Sequence, residues 1–346
     1  MKKTLKAAVA LSVLTAPAYA ANLENPLYMP KQGAVYSKTS VGVMYKKTDH
    51  TDANQKKGHA GATEFPIWRA HEELGYGILD NLELYGKFGY THDGDIDRKG
   101  MHLGRAGLKY RALTTEGGFV WDMYTDMHFG GVSAMSGSYA ADGFTYDNYS
   151  NGRWGFHLGT QFGQTWDKFS VAAFAELLHT FGNDNNEIDV SQMKLPNSTA
   201  LSSLAGQPVS SIGIPSEISV DLASTTEFNA GFKAFYAIND TWSIGGGFTW
   251  KRHEDNGVEG LATELKSVPG AAEAVQAMVI SDLLKQTKDM NDGFEEYIVS
   301  LSVANQITDM MQVAVYGEYT FDNSHSGSQS GTDVKAELGV RLNVEF

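Results

Sequence analysis

From Val334 to Phe346 every second residue is apolar (Val334, Ala336, Leu338, Val340, Leu342, Val344 and Phe346), and the residues between are mostly charged or polar. Strict period-two alternation describes a strand whose two faces meet unlike surroundings. A buried sheet core would satisfy the apolar face, and so would lipid. The choice depends on the rest of the chain, because a sheet in lipid leaves no backbone group unpaired and must close on itself.

At the other end, Lys2, Lys3 and Lys6 precede the apolar stretch AAVALSVLTA and then AYA. This is the layout of a cleavable export signal, which sets residues 1–20 apart from the fold. No later run offers the roughly 18 consecutive apolar residues of a spanning helix, so the expectation is an exported chain without a helical anchor. Removing three lysines from 27 Lys+Arg leaves 24 against 41 Asp+Glu, and the formal charge moves from −14 to −17. Nucleic acid is a poor partner for such a surface. With no cysteine, disulfides and thiolate chemistry are excluded. Abundant Gly, Tyr and Phe with a negative mean hydropathy suit a protein in which only alternate residues meet lipid.

Strand patterns recur at about 35–47, 66–78, 82–92, 101–112, 118–129, 153–165, 169–181, 224–238, 242–253, 294–305, 311–322 and 333–346. The connections LDN (79–81), TTEGG (114–118), WDK (166–168), IND (238–240) and QITDM (306–310) are tight turns. Those between them are mostly longer and polar, notably 182–223 and 254–293. Short turns at one end, long loops at the other and an even count of about twelve strands describe an all-β, transmembrane, antiparallel up-and-down barrel without a domain boundary. Residues 21–34 are expected as a periplasmic N-terminal segment.

Face assignment supports this layout. In the fifth strand Phe119, Trp121, Met123, Met127 and Phe129 share one face, and Asp122, Tyr124, Asp126 and His128 the other. Threading the strands up and down places Trp121, Phe162, Tyr236, Trp242 and Phe346 near the short-turn rim. Tyr90, Phe129, Trp154, Phe181, Trp250 and Phe321 fall near the long-loop rim, which makes two aromatic girdles. One strand fits badly: in IWRAHEELGYGI (67–78) the lipid face would include Glu72. Either a bulge near Glu72 and Glu73 re-aims that carboxylate, or the register differs there.

The closing Phe346, with Glu337, Gly339, Leu342 and Val344 before it, resembles the C-terminal signal by which Gram-negative outer-membrane barrels are handed to their assembly machinery. With the export signal, the resemblance covers the chain at the level of architecture. It implies an integral outer-membrane protein in contact with lipid, lipopolysaccharide and the barrel assembly machinery.

The inward faces carry both signs. Candidate pore-lining residues are Lys38, Lys87, Arg105, Lys109, Asp122, Asp126, His128, Glu176, Lys233, Glu296, Glu318 and Arg341. Bases gather on the first, third and fourth strands, and acids on the fifth, tenth and eleventh. Facing rows of opposite charge across a water-filled constriction would orient small hydrophilic solutes, which predicts a narrow porin-like channel. The same neighbours, Arg105 and Lys109 beside Asp122 and Asp126, equally describe cross-strand salt bridges filling a closed lumen. A barrel that displays its loops for adhesion or envelope support is the alternative.

Residues 271–287 place Ala272, Val275, Val279 and Leu283 on one helical face with Met278 nearby, so the loop 254–293 contains an amphipathic helix, entering the mouth or capping its rim. The loop 182–223 reads as a solvated surface loop rich in Ser, Pro and Gly. DGDID at 93–97 sets Asp93, Asp95 and Asp97 at alternate positions, as short calcium-binding loops do, but lacks the remaining loop residues of such motifs. TDMHF at 125–129 puts Asp126 and His128 on one face, with His157 on the next strand, and is similar to the acid–histidine pair of the omptin proteases. HEELG lacks the second histidine of a zinc-protease motif, and GVSAM the closing glycine of a nucleophile elbow. No catalytic residue and no cofactor is expected.

Overall fold

A computed structural model describes residues 22–50, 61–62, 66–93, 98–129, 135–139, 144–146, 153–191, 193–195, 205–254, 258–290, 293–325 and 331–346. Twelve antiparallel strands form the wall: β1 Val35–His50, β2 Ile67–Leu79, β3 Leu82–Asp93, β4 Arg98–Thr114, β5 Phe119–His128, β6 Gly155–Trp166, β7 Phe169–Thr180, β8 Thr225–Ala237, β9 Trp242–His253, β10 Phe294–Thr308, β11 Met311–His325 and β12 Gly331–Glu345. Each pairs with its neighbour in sequence, and β1 pairs with β12 over fifteen positions from Tyr36↔Glu345 to His50↔Gly331. The sheet is therefore a closed barrel with no free edge. At the seam Phe346 N–H donates to Val35 O (2.7 Å) and Val35 N–H to Phe346 O (3.1 Å).

Alternation explains the two surfaces. Leu338 (60 % exposed), Val340, Leu301 and Val315 stand on the outside, whereas Asn343, Gln312, Asp122 and Ala314 are buried inside. An apolar exterior around a polar interior is the reverse of a water-soluble barrel and fits lipid. Among the described residues no helix is long and apolar enough to cross a membrane. The girdle residues lie where the register requires, with Trp121 stacked on Phe162 (5.7 Å) at the short-turn rim and Phe129 edge-on to Trp154 (5.5 Å) at the other.

Glu72 faces outward, and no bulge removes it: β2 runs in unbroken register with β1 and, from Trp68 to Gly77, with β3. The neighbouring strand compensates. Ser37 Oγ and Thr39 Oγ1 donate to its two carboxylate oxygens at 2.6 and 2.5 Å.

Three inward tyrosines lie flat on the wall, each over the glycine directly opposite on the next strand: Tyr36 on Gly75, Tyr124 on Gly159 and Tyr316 on Gly339. A Cβ at Gly159 or Gly339 would fall inside the neighbouring ring. Laid sideways, the phenols reach carboxylates in place of filling the lumen.

At the long-loop end the segment 182–223, expected to be a plain loop, folds together with the loop 254–293 and the helix expected there. Glu217–Leu222 pairs with Asn183–Asp189 and with Val258–Leu261, and the helix α1 (Ala271–Met290) packs on this layer. Ile212, Ile218, Val220 and Leu222 join Val275, Val279 and Leu283 in a core, each at most 4 % exposed. The described residues of the 182–223 segment thus form an outer layer and not a solvated loop. Met278 points away from the core and is 43 % exposed.

Candidate functional site: the lumen and its floor

The segment 22–34, expected in the periplasm, instead enters the barrel and crosses its short-turn end. Its backbone is held from the wall: Lys109 Nζ donates to Tyr28 O (2.8 Å), Arg111 Nη2 to Leu27 O (2.7 Å) and Gln161 Nε2 to Pro26 O (3.0 Å). On the far side Arg341 Nη1 donates to both oxygens of Glu24 (3.0 and 3.2 Å), Asn343 Nδ2 donates to Glu24 Oε1 (2.9 Å), and Gln312 donates to Asn22 Oδ1 (3.1 Å). Leu27 packs on Val120 and Ala172, completing an apolar anchor. Burial pushes the Glu24 carboxyl up, but Arg341 and the Asn343 amide outweigh it and hold the group below its ordinary value. This floor was missed because inward-facing polar residues of the strands do not reveal what they bind.

Above the floor lies a polar cavity of about 440 Å³. Of the residues expected to line a pore, Lys38, Lys87, Lys109, Glu176, Lys233, Glu318 and Arg341 border it. Asp122 and Asp126 point inward but are sealed: Arg111 bridges Asp122 (2.7 Å) with Lys109 at 3.7 Å, and Arg105 lies 3.9 Å from Asp126. Cross-strand salt bridges thus consume the acids of β5. Glu296 is bound by Lys335 higher in the barrel. Glu73 is gripped by Lys38 and Lys87, both at 3.1 Å.

The imidazole that meets Asp126 is that of His157, at 2.8 Å, directly opposite in register; His128 instead lies across from Arg105. Tyr85 donates to the same Asp126 oxygen (2.8 Å), Tyr124 donates to Glu176 (2.7 Å), and His157 Nε2 lies 3.7 Å from Glu176. This is a closed network of tyrosines, acids and one histidine in the wall, and its hydrogen bonds are turned inward on each other. The side chain of Asp93, and Asp95 and Asp97 altogether, lie outside the described residues.

The residues of the C-terminal pattern have separate tasks in the barrel. Glu337 accepts from Arg69 (3.1 Å) and Tyr316 (3.0 Å), Gly339 makes room for the Tyr316 ring, and Leu342 and Phe346 stand on the exterior, with Val344 on the same face.

The chain has the fold of an outer-membrane β-barrel. It is similar to an outer-membrane channel from Pseudomonas putida F1, at 15% identity over 96% of this chain and 100% of that one, with a TM-score of 0.52. It is also similar to the Pseudomonas putida toluene transporter TodX (6% identity, 94% and 91% covered, TM-score 0.45). A third is the translocator domain of the autotransporter NalP from Neisseria meningitidis (10% identity, 91% and 90% covered, TM-score 0.44). No family profile and no curated protein sequence matches the chain.

Proposed function

We propose that this protein is a narrow outer-membrane channel for passive diffusion of small hydrophilic solutes, and that its own N-terminal segment narrows the periplasmic mouth without sealing it. The observation that carries the reading is the polar cavity of about 440 Å³ inside the barrel, lined by charged side chains and bounded below by the segment 22–34. A barrel that served only as a rigid anchor would have no need of an unfilled charged chamber, and twelve strands enclose more room than side chains must fill. Asp126, the acid of the omptin-like pair, is already occupied by His157 and Tyr85, which favours a non-enzymatic reading. Outer-membrane lipid, lipopolysaccharide and the barrel assembly machinery are its proposed partners. Purified full-length protein in planar bilayers tests the reading: discrete current steps support it, and their absence removes it.

A second reading draws on the outer layer, whose packed core is far more extensive than a loop needs for solubility. On that reading the barrel displays this layer for adhesion or envelope support. Deleting residues 183–222 and 258–290 separates the two, since a channel keeps or gains conductance and an adhesin loses its binding.

A further inference from the structure

The lumen is lopsided. On the β1–β7 side tyrosines, lysines and carboxylates interlock, and nearer the long-loop end of β8–β11 Glu227 holds Lys251 and His253, whereas the β8–β11 wall at the height of Lys233 and Glu318 is nearly bare. There Lys233, Gly247, Ser300 and Glu318 are successive register partners across four neighbouring strands. Gly245 and Ser302 repeat the small pair one step along the barrel. Nothing longer than a serine hydroxyl stands between the lysine and the glutamate on this strip.

Both flanking charges are exposed to the chamber, and neither makes a hydrogen bond or ion pair with another described residue. The contrast with their neighbours is sharp: Glu73 has two lysines, Glu337 has Arg69, and Arg341 has Glu24. The Lys233 ammonium lies over the face of Phe174, 5.1 Å from the ring centre. Three strand spacings of about 4.8 Å separate the two backbones, so the charges face each other across the strip without meeting. Three ammonium donors and two carboxylate oxygens are left for whatever moves along it.

Resting on the channel reading, we propose that this strip is a recognition track for small zwitterionic solutes, those carrying an ammonium and a carboxylate together, as free amino acids and short peptides do. An anion gains from Lys233 and is repelled by Glu318, and a cation meets the reverse. A neutral solute gains from neither. Only a molecule with both charges is favoured by both flanks at once, and the strip's glycines and serines leave it space to lie flat.

The test uses vesicles reconstituted with the full chain, with wild type, K233Q, E318Q, the double variant and G247L, each verified as a folded barrel by heat-modifiable gel migration. Swelling rates are compared for glycylglycine, neutral N-acetylglycinamide, anionic N-acetylglycine and cationic glycinamide, each normalised to the KCl conductance of the same preparation. Glycylglycine is expected to enter about threefold faster than the neutral solute, the order expected of exposed charge contacts. The double substitution is expected to bring that ratio to one, and G247L to slow all four solutes. A wild-type channel that conducts KCl but admits glycylglycine no faster than N-acetylglycinamide overturns the inference and leaves the channel reading standing. So does a preference that survives the double substitution. Absence of KCl conductance overturns both.

Discussion

Glu24, which precedes the first strand, is held by Arg341 of the last: one guanidinium nitrogen of Arg341 donates to both of its carboxylate oxygens, at 3.0 and 3.2 Å. The pair ties the floor of the barrel to its closing seam. Because the Glu24 side chain is only 4 % exposed, removing its charge takes from Arg341 its counter-ion inside the lumen. E24Q is therefore expected to loosen the segment 22–34 and to raise conductance in planar bilayers. An unchanged current would mean that this segment does not obstruct the path.

The same contact has a defined pH dependence. The docked carboxyl sits below its ordinary value, so the floor is stabilised above the free carboxylate pKa of about 4.3 and loses that contribution as pH falls through the lowered docked value. Conductance is expected to be flat from neutral pH down to about 4.3 and to rise below it, and E24Q is expected to remove that rise.

Tyrosines laid over glycines predict an unusual sensitivity to the smallest possible substitution. A methyl group at Gly159 must displace the Tyr124 ring and with it the hydrogen bond to Glu176. G159A is expected to cost about 1–3 kcal/mol in urea unfolding from vesicles. Alanine at Gly246, which faces outward between β8 and β10, is expected to cost well under half of that.

The outward Glu72 lies four residues from Trp68 and four from Tyr76, both exposed on the same face, so it sits near mid-span. Its two hydroxyl donors reduce the penalty of a carboxylate in hydrocarbon without abolishing it. E72L is expected to stabilise the barrel by up to about 2 kcal/mol. The double variant S37A/T39A is expected to destabilise it by about 1–3 kcal/mol in the same unfolding measurement, because the carboxylate then has no donor.

The outer layer is expected to melt independently of the wall. Ile212 is fully buried in its core, and I212A is expected to cost about 2–5 kcal/mol there. Limited proteolysis would then cut the 182–222 region while the barrel keeps its heat-modifiable migration.

The wall was legible because lipid and lumen impose period two on every strand, and twelve segments with alternating short and long connections leave one closed topology. The inward direction of Lys233, Glu318 and Arg341 follows from the same parity. Glu72 was legible as an anomaly, but its compensation by Ser37 and Thr39 depends on the register with another strand, which alternation in one strand does not specify. The floor was not legible, because residues 22–34 have no periodicity and their anchors, Arg111, Gln161 and Asn343, lie far away in sequence. The outer layer failed for a related reason: Ile212, Ile218 and Val220 are sparse among polar residues, and their core exists only once the helix of another loop packs on them. Asp126 and His128 share a face of β5 with His157 on the next strand, and it is the cross-strand register, which parity within one strand does not specify, that gives Asp126 to His157.

A water-filled lumen behind a greasy wall is tested most directly at neighbouring residues of β10. Since the chain has no cysteine, S300C and L301C each introduce a single thiol, one facing the chamber and one the exterior. In reconstituted vesicles a membrane-impermeant thiol reagent is expected to modify S300C and reduce its current while leaving L301C untouched. An inert S300C beside a reactive L301C would contradict the account.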